Sequence, residues 1–418
     1  MSALSNKVDV LVIGAGPCGL LSALALARGG IEVEIVDRAR RSSAQSYACG
    51  IHSATLELLG TLGLAQQALE SGFRVDTVGL YEGAERRGEL LMSELKSGGF
   101  PFLLVLPQDR LEELLEQELR QRGVRVRWGH RLDTLHQDEN GVSATVETLA
   151  MTSVGYPYAR SEEAVEKETE VHARYVIGAD GAASHVRQIL NLPCERHGEP
   201  TAFEVVEFEP VSDVGREVRI VFGPGTQDAL WPQSSSIARW SLQRTEAEAA
   251  TFQSDGGDFA LGSTTETPDK EAIVARILER APWFKAGIKE VDWATVVGFD
   301  SMMARNFGVG RVWLTGDAGH QTSPIGMQSM NVGLREAADL AGRIQRALRQ
   351  GAAPEIFAEY ERQRREEWSL LLGLKGGLSK TPKTTPWANS QRRRLLGSLP
   401  ASGADLATLA RQLGLELA

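Results

Sequence analysis

A short, nearly unbroken apolar run opens the chain. Val8 to Ile13 is interrupted only by Asp9, the pattern of a strand covered on both faces. Gly14-Ala15-Gly16-Pro17-Cys18-Gly19 follows. Apolar residues then recur with helical spacing at Leu20, Leu21, Ala23, Leu24, Leu26 and Ala27. A second strand, Ile31 to Val36, ends in Asp37, and the polar stretch Arg38 to Gln45 reads as a loop. His52 to Leu59 predicts a short helix. Residues 72–106 alternate apolar and polar positions between glycine breaks, which predicts strands of a second layer. Asp109 to Arg122 is an amphipathic helix with Leu111, Leu114, Leu115 and Leu119 on one face. Asp109 and Glu112 are placed to form a capping box, and Gly123 ends the helix. Val124 to Trp128 reads as a strand.

Residues 130–176 predict an antiparallel meander with one long charged turn, Ser161 to Lys167. Tyr175 to Gly178 then returns to a parallel sheet. Residues 195–300 are mainly strand-like, with one helix near Lys270 to Arg280. Arg311 to Thr315 is another core strand. Met330 to Arg349 forms a long helix with Leu334, Ala337, Ala338, Ala341, Ile344 and Leu348 on one face. Arg343, Arg346 and Arg349 complement its dipole, and Gly351 stops it. The remainder is mostly helical. The sum is an α/β protein. A Rossmann-like domain is built from residues 1–75, 104–190 and 300–350, with a β-rich substrate domain (76–103 and 191–299) interleaved and a helical C-terminal region (351–418). The site is expected where the two domains meet.

The strand–turn–helix–strand order of the first 37 residues is what a βαβ dinucleotide site requires. Gly14 allows the tight turn, Gly16 lets backbone approach a pyrophosphate, and Gly19 lets helix and strand pack closely. The pyrophosphate would rest on free N–H groups at the positive end of the helix, and Asp37 can accept hydrogen bonds from a ribose. Two later strands end in the same way, at Asp180-Gly181 and at Gly316-Asp317. An acid at the carboxyl end of a parallel strand suits sugar-like hydroxyls.

Composition narrows the partners. With 55 acids against 45 bases the formal net charge is −10, which argues against a broad nucleic-acid surface. The arginines at 362, 364 and 365 and at 392–394 read as solvated helix faces. The 3 cysteines, Cys18, Cys49 and Cys194, lack metal-ligand spacing and suit a reducing cytoplasm. No run is long enough for a membrane helix, and the early strand leaves no room for a signal peptide.

The three glycine–acid turns, in this order and spacing, resemble the FAD-dependent aromatic hydroxylases, the single-component flavoprotein monooxygenases of the para-hydroxybenzoate hydroxylase type. The resemblance runs from about Val8 to about Trp368 and includes a closing helix at Pro354 to Arg365. With no thioredoxin-like extension following, it places the chain among the shorter members. It implies that Gly14, Gly16, Pro17, Gly19 and Asp37 hold the ADP half of FAD, with Arg38 or His52 near the pyrophosphate. Gln108 and Asp317 would bind the ribityl chain, and Asp180 belongs to a second fingerprint linked to FAD and NAD(P)H. Gly316 would let the chain pass close to the flavin. The loop from Pro324 through Gly326 to Asn331 would run beside the isoalloxazine, where Asn331 either serves the flavin or only caps the helix. Ser329 stands where the family carries a glycine, which implies less flavin mobility or another loop path.

The implied activity is NAD(P)H- and oxygen-dependent hydroxylation of an aromatic, heteroaromatic or polyketide-like substrate through a flavin C4a-hydroperoxide. No metal and no obligatory nucleophile is implied, and no catalytic base stands out. His320 reads as a hydrogen-bonded structural group. Trp231 and Trp240 either line the substrate cavity or pack the sheet. Arg305 either faces the ring or makes a surface ion pair. A flavin-dependent halogenase, a prenyl-chain reductase and a non-catalytic FAD-binding escort remain the alternatives.

Overall fold

The computed structural model describes residues 4–41, 48–95, 99–154, 160–246, 248, 269–351 and 355–418. Parts of the loop expected at Arg38 to Gln45, of the strand-rich 195–300 stretch and of the closing helix's start lie outside them.

Val10, Leu11 and Val12 are fully buried because the strand Lys7–Ile13 runs through the middle of an eight-stranded sheet. It pairs in parallel with Val33–Asp37 on one side and with Arg160–Gly178 on the other. Val126–Trp128 extends the sheet beyond Val33–Asp37, and Val312–Leu314 extends it beyond Arg160–Gly178, both in parallel. The carboxyl ends of these five parallel strands therefore open on the same edge, where ligands bind in open parallel sheets. The helix Pro17–Arg28 covers one face, clamped between Gln108–Gln121 and the long helix Gln328–Gln350.

The second sheet has seven strands, in the order Ile288–Phe299, Thr201–Pro210, Ala238–Gln243, Gln227–Pro232, Glu217–Phe222, Thr77–Glu82 and Glu85–Leu91. Neighbours pair antiparallel except Glu217–Phe222 with Thr77–Glu82. Its two faces enter different cores. Val206, Phe208, Leu230 and Trp240 pack under the helix Lys270–Arg280. Phe203, Val205, Ala229 and Trp231 join the core that continues into the dinucleotide side of the molecule.

Five local readings are corrected. Ser161 to Lys167 is not a turn but part of the 19-residue strand Arg160–Gly178, paired with Val142–Val154. Its charges suit a hairpin that is solvated on both faces. The Asp109–Glu112 capping box does not form. Pro107 stands at the N-cap, so Asp109 is already inside the helix, and Glu112 accepts instead from the Gln108 amide at 2.8 Å. The long helix starts at Gln328, before Met330. In the C-terminal region Leu378–Lys380 pairs with Leu415–Leu417 as a two-stranded sheet. Arg364 is buried against the Tyr360 ring, whereas Arg362 is solvated and pairs with Glu359 and Glu366.

Candidate functional site

The first glycine turn is dictated by sterics. Gly14 has φ +100°, and a Cβ there would lie 2.3 Å from the Ala179 carbonyl oxygen. A Cβ on Gly19 would lie 1.9 Å from the Gly14 oxygen, so this glycine lets the helix close onto the turn. Gly16 differs, because a Cβ there would meet nothing within 4 Å. It borders open space at the start of a helix that no side chain caps. The first intrahelical bond runs from the Leu20 N–H to the Gly16 carbonyl, leaving the Cys18 and Gly19 N–H groups ahead of it. The turn is an anion seat of the kind a pyrophosphate occupies.

Asp37 stands where the second strand ends. One carboxylate oxygen accepts from the Ala15 N–H at 2.6 Å and the other from the Ala39 N–H at 2.7 Å. Two of its roughly four lone-pair sites are thus spent on backbone, and the others remain for a ribose. Arg38 follows it at the exposed surface.

A cavity of about 220 Å³ lies against this turn. Gly16, Pro17 and Cys18 form one wall, Gln108 and Ala48 another, and Ala179 and Gly181 a third. Thr315, Asp317 and the loop from Gln321 to Met330 close it, with Phe299 from the seven-stranded sheet. Gly316, at φ +62°, makes the approach possible, since a Cβ there would lie 2.7 Å from the Cys18 sulfur. Three turns separated by more than a hundred residues each therefore meet on one hollow.

Burial pushes the Asp317 carboxyl above its ordinary value, with the neighbouring His320 pulling the other way, and the Gln321 amide donates to it at 3.5 Å. Glu112, behind Gln108, is pushed up by burial to about 7. Burial, with Asp317 and Glu336 nearby, also raises the Cys18 thiol, which stays protonated. Phe299, Met327 and Met330 supply the apolar lining.

Several expected site residues work from behind the wall. The Asp180 carboxylate accepts from the Ser184 hydroxyl at 2.6 Å and from the His185 and Val186 N–H groups at 2.7 and 3.0 Å, holding the start of the helix His185–Ile189. Its neighbours Ala179 and Gly181, not its side chain, reach the cavity. Gly326 faces the C-terminal segment, where a Cβ would lie 2.6 Å from the Gly397 oxygen. Asn331 neither opens the helix nor caps it. Its amide donates to the Gly50 and Met327 carbonyls, both at 2.7 Å, and its oxygen accepts from the His52 N–H at 2.8 Å. The helix N–H groups that precede it belong to Gln328, Ser329 and Met330.

His52 does not line the cavity. It is buried, its Nε2 lies 2.9 Å from the Gly326 carbonyl oxygen, and burial pushes its pKa down to about 3. It is a neutral donor that pins the loop. Met327, in the left-handed region at φ +52°, is the strained residue of that loop. Ser329 gives the loop a further tie, its hydroxyl accepting from the Thr322 N–H at 3.0 Å. His320 is structural, as read: its Nε2 meets Glu336 at 2.6 Å and its ring stacks on Trp368 at 3.7 Å.

The substrate-side readings separate. Trp231 lies on the face toward the cavity, its ring packed on Gly50 beside Met327. Trp240 lies on the opposite face against Phe284 and Trp283 and cannot reach the cavity. Arg305 is exposed and paired with Glu195 at 2.5 Å, a surface contact. The polar run Gln321-Thr322-Ser323 was missed; its only sequence signal is its place directly after the Gly316–His320 turn.

A family model described as "FAD binding domain" matches residues 7–371. Pentachlorophenol 4-monooxygenase of Sphingobium chlorophenolicum is 29% identical over 362 residues, covering 86% of this chain and 62% of that protein. Tetracenomycin A2 monooxygenase-dioxygenase of Streptomyces glaucescens is 28% identical over 394 residues, covering 86% and 65%. The chain thus spans less than two thirds of the length of these relatives. Among solved structures, p-nitrophenol 4-monooxygenase from Pseudomonas putida superposes with a TM-score of 0.74 at 19% identity, over 98% of this chain and 97% of that one. A Pseudomonas aeruginosa protein solved with 2-aminobenzoylacetate gives 0.71 at 21%, over 95% and 100%. These likenesses are to the same fold.

Proposed function

The chain belongs to the FAD-binding-domain family, and from that membership we propose that it is a monooxygenase that hydroxylates an aromatic or heteroaromatic substrate, with FAD as cofactor and NAD(P)H as reductant. The observation that carries the reading is the convergence of the Gly14–Gly19, Ala179–Gly181 and Gly316–Asp317 turns on one hollow. Relatives named as monooxygenases of pentachlorophenol and of tetracenomycin A2 support it. Residues 1–75, 104–190 and 300–350 serve as the FAD-binding unit and residues 76–103 and 191–299 as the substrate unit, in a cytoplasmic setting. No helix among the described residues is long and apolar enough to cross a membrane.

FAD, when bound, supplies the redox and oxygen chemistry. The chain's residues bind and orient. Gly16 leaves room for a pyrophosphate, and the Cys18 and Gly19 N–H groups meet its charge, worth roughly 0.3–2 kcal/mol from the helix dipole alone. Asp37 would hold the ribose, and Gln108 and Asp317 would hold the ribityl hydroxyls. Pro324 and the first N–H groups of the Gln328 helix would serve the ring system, where a positive helix end would stabilise negative charge. Phe299, Met327 and Met330 exclude water. His52 and Asn331 hold the loop in place and move no proton.

The test is direct. Purified protein should be yellow or turn yellow with added FAD, oxidise NADH or NADPH faster with a phenol present, and release hydroxylated product. Failure to take up flavin rejects the reading. Chlorinated product formed only with halide points to a halogenase, and flavin uptake without reduction points to an escort.

A further inference from the structure

One row across the inner face of the seven-stranded sheet is not apolar. Trp293, Glu207, Arg239 and Trp231 stand opposite one another on four adjacent strands. Residues so opposed share a face. Arg239 is 2% exposed and donates through Nε at 3.2 Å and Nη2 at 2.7 Å to one oxygen of Glu207. Its guanidinium lies over the Trp293 ring, 5.1 Å from the centroid. Its third nitrogen, Nη1, has no hydrogen-bond partner, and neither has the indole N–H of Trp231 beside it, which is 0% exposed. An unmet buried donor costs about 1–3 kcal/mol. Asp228 and Trp240 of the same sheet also carry unpartnered buried atoms, but on the opposite face; on the inner face the two donors stand together on neighbouring strands and mark a place meant for an acceptor.

The local charge says which acceptor. Glu207 already balances Arg239. The Cys49 thiol, in weak hydrogen-bond contact with the guanidinium, is pushed up by burial to about 11 although Arg239 pulls the other way; it stays protonated and adds no charge. A carboxylate brought here would be an uncompensated buried anion. A carbonyl oxygen has two lone pairs, one for each free N–H, and carries no charge. Neither Trp231 nor Arg239 lines the cavity already described, and the way to them from it is past Met327. The Trp231 ring and Met327 both pack on Gly50, whose missing Cβ would lie 3.2 and 3.0 Å from them, and Met327 lines the hollow. An unbranched methionine is the side chain best able to turn aside.

We propose that Trp231 and Arg239 form a subsite for an uncharged acceptor oxygen of the substrate, a ketone, quinone or amide carbonyl on its aromatic ring. The subsite rests on the hydroxylase reading but is tested apart from it, by calorimetric titration of the full-length protein, which needs no turnover.

The probes are 4-hydroxyacetophenone, 4-hydroxybenzoate and 4-ethylphenol. The ketone should bind roughly three- to tenfold more tightly than the ethylphenol and more tightly than the benzoate, as expected for one or two net hydrogen bonds. Trp231→Phe keeps the ring and loses the N–H, and should remove most of the ketone's advantage. Glu207→Gln leaves Arg239 uncompensated and should move the preference toward the benzoate, which a purely structural row would not do. Benzoate binding as well as the ketone to the native protein, an unchanged ketone preference in Trp231→Phe, or no binding of any probe would overturn the subsite. Flavin content, measured on the same samples, reports separately on the hydroxylase reading.

Discussion

His52 makes an acid-sensitive clamp of the loop beside the cavity. In the folded protein burial holds its pKa near 3, against an ordinary value of 6.5. Between these values the unfolded chain binds one more proton than the folded one. Stability therefore rises with pH by about 1.4 kcal/mol per unit over that window and levels off above 6.5. Lowering the pH from 7 to 5 should cost about 2 kcal/mol through this one group. Glu112 and Asp228 act in the opposite sense, since burial raises them to about 7 and about 6. A carboxyl raised in the folded state makes the folded protein the better proton binder, so it favours folding as pH falls. The net curve of the native protein mixes these opposed effects, and a His52→Gln variant separates them. Urea unfolding of both proteins at pH 7 and pH 5 gives four free energies. The native protein should lose about 2 kcal/mol more than His52→Gln on going to pH 5. Equal losses would mean that the imidazole is not buried against Gly326, and the account of the loop would fall with it.

Asp317→Ala removes a buried acceptor facing the cavity and should weaken FAD retention by roughly ten- to a hundredfold, read as flavin per protein after gel filtration. Gly16→Val should abolish flavin uptake while leaving thermal stability nearly unchanged, because a Cβ there meets only open space. Gly14→Ala should instead unfold or strongly destabilise the chain, since the new Cβ would strike the Ala179 oxygen at φ +100°. Trp240→Ala should cost about 3–5 kcal/mol in denaturant unfolding and leave binding of a phenol probe unaltered; lost binding with intact stability would put that ring back at the site.

The glycine turns were legible because their requirements are local. A strand must meet a helix without steric conflict, and only glycine survives at Gly14 or Gly19, so the residue type reports the geometry directly. The helix Lys270–Arg280 and the parallel core strands were equally plain, since burial imposes its period on the residues themselves. The Ser161–Lys167 segment was misread because a hairpin wet on both faces carries no apolar period to distinguish it from a turn.

The faces and the long-range ties belong to another class of information. Trp231 and Trp240 sit in strands of similar composition, and a single step of register decides which ring meets the cavity and which the outer core. Asn331 and His52 are 279 residues apart in the chain, and their bond exists only because sheet and long helix converge. The unpaired donors of Arg239 and Trp231 likewise follow from cross-strand placement. Residue types carry sterics and periodicity along the chain, but which polar group is left without a partner is settled only once every neighbour has been packed around it.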